Sequence, residues 1–524
     1  MPDSAGPKGA RSSARPSAQP SAPAAPAIAP PRASTGSAGL DDVLGGGLVA
    51  NRLYLLEGAP GSGKTTLALQ FLLEGVARGE SCLYVTLSET SEEMWLVAQS
   101  HGWTLDGLAL LELSSIESLL DDAGQQTLLH PWELELGSIV KLVTDEVQRV
   151  GAVRLVFDSL SELRLLAQDP LRYRRQVLAM KQLFAGRNTT VLLVDDMTGL
   201  YGNRDTHLHS LCHGVITLER LTLDFGAARR RLQVQKMRGI AFIAGFHDFA
   251  LRLGGLIVFP RLVAAGHHAP FSDQKVPSGL AELDALLSGG PLRGTSMLLT
   301  GPAGAGKTNL ALQYVVAACG RGESCVIYEF DERVGTLLIR AAALGMDLQP
   351  HLETGLLRVQ QVDPAELSPG EFAFMVRDEV ERHAAQLIVI DSLNGYLSSM
   401  PQEQHLILQM HEMLSYLSQR GVLTLLINPQ QGLLGSMRSD GLNVSYIADT
   451  VMLLRFFEAD GRIRKAISVI KNRGGAHEDT IRELRIGRRG IRIGQPLTEF
   501  RGVLTGTPDY AGGRAPLLED LDEA

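Results

Sequence analysis

Gly58–Thr65 reads GAPGSGKT and Gly301–Thr308 reads GPAGAGKT. Both match G-x-x-x-x-G-K-T, and each stands between an apolar run of strand type and a segment of helical pattern. Before the first lies RLYLLEG, from Arg52; after it comes TTLALQFLLEGVARG, whose Leu67, Leu69, Phe71 and Leu72 suit a helix laid on a sheet. The glycines Gly58, Gly61 and Gly63, and Gly301, Gly304 and Gly306, let the backbone wrap closely enough for its N–H groups to point at phosphates. The following helix adds its positive end. Lys64 and Lys307 would reach the β- and γ-phosphates of a nucleoside triphosphate. The hydroxyls of Thr65 and Thr308 would ligate Mg2+, and Thr66 and Asn309 complete each loop's run into the helix.

Working outward, the two loops belong to a repeat. RGESC occurs at Arg78–Cys82 and again at Arg321–Cys325, 243 positions later. The same 243 carries Asp41 onto Asp284, Lys64 onto Lys307 and Glu89 onto Glu332. Further along, Asp158 meets Asp391 at 233 and Lys236 meets Lys471 at 235, so the second copy is slightly shorter. Within each copy strand-like and helix-like segments alternate, which predicts an α/β fold: a mainly parallel sheet flanked by helices. Each copy closes on segments that read as β-hairpins, ITLERLTLDF with RRRLQVQKMRG in the first, and TVMLLRFF onward in the second, turning at Asp460-Gly461. The boundaries follow as an arm at 1–33, a first domain at 34–262, a linker at 263–271, a second domain at 272–505 and an acidic tail at 506–524.

The arm holds 10 Ala, 8 Pro and 5 Ser in 33 residues, a composition with too little apolar surface to offset ordering, and is expected to be disordered. Across the 524 residues the formal charge is −9, and no strong basic stripe is visible along the chain. Nucleic acid is therefore not an expected partner. Arg229–Arg231 is the most basic run and is read as interfacial or solvated. The four cysteines form no CxxC pair and fit a reducing cytoplasm. No apolar run reaches the roughly 20 residues of a membrane span.

A magnesium site of this type usually takes a carboxylate from the end of a neighbouring apolar strand. VRLVFDS and QLIVIDS supply Asp158 and Asp391 there. Hydrolysis also needs a group to activate water near the γ-phosphate. The strands after the loop helices end in Ser88-Glu89 and Asp331-Glu332, which nominates Glu89, Asp331 and Glu332; a strand-end acid is otherwise a helix cap.

Together these features resemble the KaiC family of RecA-like ATPases over about residues 34 to 505. The likeness rests on the opening phrases GLDDVLGGGL and GLAELDALLSGG, the two P-loops, the strand-end acids, the Asp-Ser boundaries and the Lys-x-Arg-Gly closures. The resemblance implies two RecA-like domains, a double ring of six subunits, and ATP between neighbours. It further implies that Lys236 and Arg238 in the first ring, and Lys471 and Arg473 in the second, reach the phosphates bound by the next subunit. Two departures bear on hydrolysis. Ser88 replaces the first of the family's two first-ring glutamates, and Asp331 takes the first position in the second ring. The family's clock member phosphorylates adjacent Ser and Thr residues; aligned on Asp449-Thr450, these fall on Ser445 and Tyr446. Ser445 is thus the candidate phosphoacceptor of an autokinase. The resemblance also implies regulatory or signalling partner proteins. Two other classes share the P-loop core: a RecA-type DNA-dependent ATPase, and an ATP-binding scaffold with little turnover.

Overall fold

The computed structural model describes residues 30–113, 131–167, 169–197, 206–222, 226–263, 272–398, 405–430, 446–459, 461–503 and 509–510. The first domain is built on a nine-stranded sheet. Its strands are β3 (Leu53–Gly58), β4 (Cys82–Thr86), β5 (Leu108–Glu112), β6 (Arg154–Asp158), β7 (Thr190–Asp196), β8 (Gly214–Leu221), β9 (Arg229–Met237), β10 (Phe246–Arg252) and β11 (Gly255–Phe259). They lie in the order β11-β10-β9-β8-β3-β7-β6-β4-β5. From β8 to β5 all neighbours are parallel, and β8 to β11 form an antiparallel meander.

The second domain repeats this plan. Its strands are β12 (Ser296–Pro302), β13 (Cys325–Glu329), β14 (Leu357–Gln361), β15 (Leu387–Asp391), β16 (Leu423–Gln430), β17 (Thr450–Ala459), β18 (Arg462–Asn472), β19 (Arg482–Gly487) and β20 (Gly490–Pro496). Their order is β14-β13-β15-β16-β12-β17-β18-β19-β20, the same sequence of roles. The expected hairpins are β8–β9 and β17–β18, joined in antiparallel register. Asp460, half of the predicted turn, lies outside the described residues, as do most of the linker and most of the arm. Two residues assigned to the arm are ordered into the domain: β1 (Arg32–Ala33) pairs with β2 (Leu48–Val49).

Strand β3 shows why the central strands are apolar without alternation. Leu53 and Leu55 pack into the cluster on one face, with Val143, Phe157 and Val177, while Tyr54 and Leu56 pack into the other, with Phe71, Leu72 and Val258. A parallel strand covered on both faces has no solvent side to mark with polar residues. Among the described residues no helix is long and apolar enough to cross a membrane.

The run Arg229–Arg231 splits between two roles. Arg229, 4% exposed, crosses to the second domain and donates to the carbonyls of Pro364 (2.9 Å), Ala365 (3.1 Å) and Glu366 (2.8 Å). Arg231 stays within the first, paired with Glu219 at 2.8 Å and stacked over Phe246. Beside Arg229, Asp248 accepts from the Gly370 amide at 2.7 Å, at the start of the helix Pro369–His383, and Arg252 pairs with Glu371 on that helix.

Candidate functional site

Each loop joins a central strand to a helix, β3 to Lys64–Ala77 and β12 to Lys307–Gly320. Gly63 and Gly306 sit just before the helices at φ 105° and 106°, a left-handed conformation that disfavours any Cβ. At the strand ends the need is space: a Cβ on Gly58 would lie 2.5 Å from the Leu218 carbonyl, and one on Gly301 2.2 Å from that of Leu454.

The loop lysines are buried and fold over their own loops. Lys64 Nζ donates to the carbonyls of Gly58 (2.9 Å) and Ala59 (3.0 Å), and Lys307 Nζ to those of Gly301 (3.0 Å) and Pro302 (2.8 Å). Lys64 has a further partner that sequence reading missed, Asp196 at the end of β7, 2.6 Å away. Gly58 stands opposite Asp196 and Gly301 opposite Pro429, so the second copy has no carboxylate at that register.

Asp158 and Asp391 fall beside the loops. Thr308 Oγ1 donates to Asp391 at 2.6 Å, and Thr65 lies near enough to Asp158 to lower its pKa slightly. Asp158 also accepts from the Tyr84 hydroxyl at 2.6 Å. Burial raises both carboxyl pKa values, while these hydroxyls oppose the rise. A hydroxyl and a carboxylate in contact at the loop are hard oxygen donors of the type Mg2+ takes. Among the described residues no group of three or more His, Cys, Asp and Glu is placed to hold a metal. The peptide bond after each aspartate is cis.

Glu89 follows β4, and the cap of the next helix is made by Thr90 and Glu93 rather than by Glu89. Burial first, then Asp158, Glu93 and Asp196, raises the Glu89 pKa, and its Oε2 is buried with no partner. The second copy is arranged differently. Asp331 accepts from Ser392 Oγ at 2.5 Å, while Glu332 pairs with Arg340 at 2.5 Å, which also donates to Asn309 at 2.9 Å. A third acid was not foreseen there. Glu329 ends β13 directly opposite Asp391, at the place held by Thr86 in the first copy, and is 1% exposed. Burial, then the carboxylates of Asp391, Glu332 and Asp331, push its pKa up to about 9. The 243-residue offset, aligning a Glu with Thr86 inside a buried strand, was the available signal.

That shift sets an expected pH dependence for the metal- and nucleotide-free protein. The folded state holds the Glu329 proton to about 9, whereas the unfolded chain releases it near 4.5. Stability therefore falls as pH rises from 4.5 towards 9, by about 3 kcal/mol at pH 7. Glu329→Thr should flatten this slope. Urea unfolding in EDTA at pH 5 and pH 8 checks it; equal gains from the substitution at both values would contradict the shift.

Lys236 and Lys471 occupy the other end of their sheets. Gly214 pairs with both Tyr54 and Met237, so Lys236 and Arg238 lie at the beginning of β3, whereas the loop starts at its end, Gly58. Four residues of strand separate the two levels, roughly 13 Å. Lys236 donates to the carbonyls of His209 (2.5 Å) and Cys212 (3.0 Å), and Arg238 to that of Ser210 (2.9 Å). In the second copy Met297 pairs with Thr450, and Thr450 with Asn472, placing Lys471 and Arg473 likewise. Ser445 lies outside the described residues; Tyr446 is exposed.

The model of the family described as "ATPase: KaiC" matches residues 33–263 and 276–498. The chain belongs to the KaiC ATPase family. It is a KaiC-like ATPase in which two family domains follow one another, each with the nucleotide loop described above. Among curated KaiC relatives, "Circadian clock protein KaiC3" of Synechocystis sp. is 26% identical over 486 residues, 91% of this chain and 95% of the relative. "Circadian clock oscillator protein KaiC" of Synechococcus elongatus is 26% identical over 476 residues, 90% of each chain. The protein of that name from Parathermosynechococcus lividus is 26% identical over 485 residues, 91% of this chain and 88% of the relative.

Proposed function

We propose that this protein is a ring-forming timing or signalling ATPase, in which each ATP lies between the P-loop of one subunit and the Lys-x-Arg segment of the next. The observation that carries this reading is the position of Lys236 and Arg238, and of Lys471 and Arg473, at the sheet end away from their own loops. A cation that cannot reach its own nucleotide is free to serve a neighbour's in a head-to-tail ring. Six subunits in two stacked tiers and a cytoplasmic location follow from the family likeness.

Thr65 with Asp158, and Thr308 with Asp391, would hold Mg2+, which neutralises charge gathering on the phosphates. In the first domain Glu89 takes a proton from water as the water oxygen bonds to the γ-phosphorus, and the bridging oxygen leaves with ADP. Its raised proton affinity suits a general base. In the second domain Asp331 and Glu332 are held by Ser392 and Arg340, and turnover there is slower. Glu89→Gln should lower phosphate release by its own site roughly 100-fold with ATP binding kept, and Glu332→Gln should lower the total less. The opposite ranking would assign the faster site to the second domain. Partner proteins and phosphorylation of Ser445 belong to the same reading. ATP labelled in the γ-phosphate separates the outcomes: label released as phosphate marks the ATPase, label kept on the peptide holding Ser445 marks the kinase, and retained ATP without either marks a scaffold.

ATP is expected to drive assembly, because a ligand bound between subunits stabilises the assembled state by mass action. Lys236→Ala with Arg238→Ala should weaken this step, with circular dichroism checking that the fold survives loss of the bonds to the carbonyls of His209, Cys212 and Ser210. Light scattering measures it; the same monomer with and without ATP would rule the ring out.

A further inference from the structure

The first P-loop lysine commits all of its N–H groups to the protein. Lys64 Nζ donates to the carbonyls of Gly58 and Ala59 and pairs with Asp196 Oδ1 at 2.6 Å. An ammonium has three donors and no more. A phosphate that takes up Lys64 must displace one of these partners, and of the three only Asp196 is itself an anion that repels it. Lys307 is placed differently. Among the described residues it has the carbonyls of Gly301 and Pro302 and no ion pair, so one donor is left for a phosphate.

The backbone delivers Asp196 to the loop. Met197 N donates to the Gly58 carbonyl at 3.1 Å, and Asp196 N donates to Ser161 Oγ at 3.0 Å. Ser161 in turn donates to Asp195 at 3.0 Å, and Arg164 pairs with Asp195 at 2.6 Å. The end of β7 is thus fixed on both sides of Asp196. Ser161 stands three residues after Asp158, and the residue three after Asp391 is Asn394, which donates to the Pro429 carbonyl at 2.9 Å. The second domain keeps the anchor and lacks the acid. Asp196 also lies on the side of the loop where the terminal phosphate belongs. After burial, its charge is among those that raise the pKa of Glu89, the proposed base, and of Asp158, the proposed metal ligand. We infer that Asp196 is a positioning residue of the first ATP site that competes with the γ-phosphate for Lys64, so that this site binds ATP less tightly than its loop alone allows and closes on the ion pair again once phosphate leaves. The inference rests on Gly58–Thr65 being an ATP loop. ADP ends at the β-phosphate, so Asp196 opposes it less.

Asp196→Asn keeps the shape of the side chain and removes its charge. In full-length protein carrying Lys307→Ala, which disables the second loop, titration with fluorescent ATP and ADP analogues reads the first site. ATP should bind about tenfold more tightly and ADP about twofold, raising the preference for ATP about fivefold. A damaged fold does not tighten binding. KM for ATP should fall with the affinity while the single-turnover rate of hydrolysis stays within about threefold of the parent. Asp196→Glu restores a carboxylate and should return the parental affinities. The converse change, Pro429→Asp in Lys64→Ala protein, should weaken ATP more than ADP at the second loop, because Pro429 holds the register of Asp196. Three results of Asp196→Asn would overturn the inference: ATP affinity unchanged or lower, an equal gain for ATP and ADP, or a single-turnover rate lower by about 100-fold, which would set Asp196 on the attacking water. Lys64→Ala, measured alongside, tests the loop itself. If first-site ATP binding survived that change undiminished, the P-loop reading would fall, and the inference with it.

Discussion

Lys64→Ala and Lys307→Ala will each silence one ATP site, and the double substitution will leave no measurable turnover. The lysine places a fixed positive charge where the transferring phosphoryl group gathers negative charge, and losing one such donor costs roughly 10²–10³-fold in rate. The two single substitutions will differ in binding. Lys64 is paired with Asp196, so its removal leaves that carboxylate facing the phosphates. Pro429 occupies the matching register in the second domain, and Lys307→Ala exposes no such charge there. ATP affinity should therefore fall further in the first domain. Adding Asp196→Ala to Lys64→Ala should restore part of the binding and none of the hydrolysis. Equilibrium binding with a fluorescent ATP analogue, alongside phosphate release, separates the two effects. A double lysine variant that still hydrolysed ATP at the parental rate would falsify the assignment of both loops.

What could be read without coordinates was whatever repeats locally along the chain. The loops, the 243-residue offset, the strand-ending aspartates and the closing hairpins all lie within short windows, and each has its counterpart in the sheets. The features that were missed depend on register between distant strands. Asp196 meets Lys64 only because β7 pairs with β3 so as to set Asp196 opposite Gly58. Glu329 becomes an acid with a high pKa because β13 buries it and sets it beside β15, with Asp391 directly across. Lys236 and Arg238 were assigned to a neighbour's nucleotide by family likeness alone; their distance from their own loop became visible once β9 was registered against β8 and β3.

Comparison of the copies also exposes a structural exchange, and it predicts the largest stability effect in the first domain. Arg154 begins β6 and is 1% exposed; it pairs with Glu80 at 2.5 Å, donates to the carbonyls of Ser34 (2.7 Å) and Phe71 (2.8 Å), and stacks on the Phe71 ring. Gly75 makes room for it, since a Cβ there would lie 2.6 Å from Arg154 Cδ. In the second copy the position opposite Cys325 in β15 is Leu387, the place of Gly75 is taken by Ala318, and Glu323 pairs instead with Arg293 at 2.7 Å. Arginine with glycine, or leucine with alanine, are thus two packings of one site. Arg154→Leu alone should cost roughly 2–5 kcal/mol, through the lost ion pair and the lost hydrogen bonds to the carbonyls of Ser34 and Phe71. Gly75→Ala alone should cost roughly 1–3 kcal/mol through overcrowding. Together they should cost less than the sum by at least about 1 kcal/mol, because the methyl group fills space that the guanidinium stem vacates. Urea denaturation of the four proteins measures the coupling, and strict additivity would mean that the two side chains do not compete for the same volume.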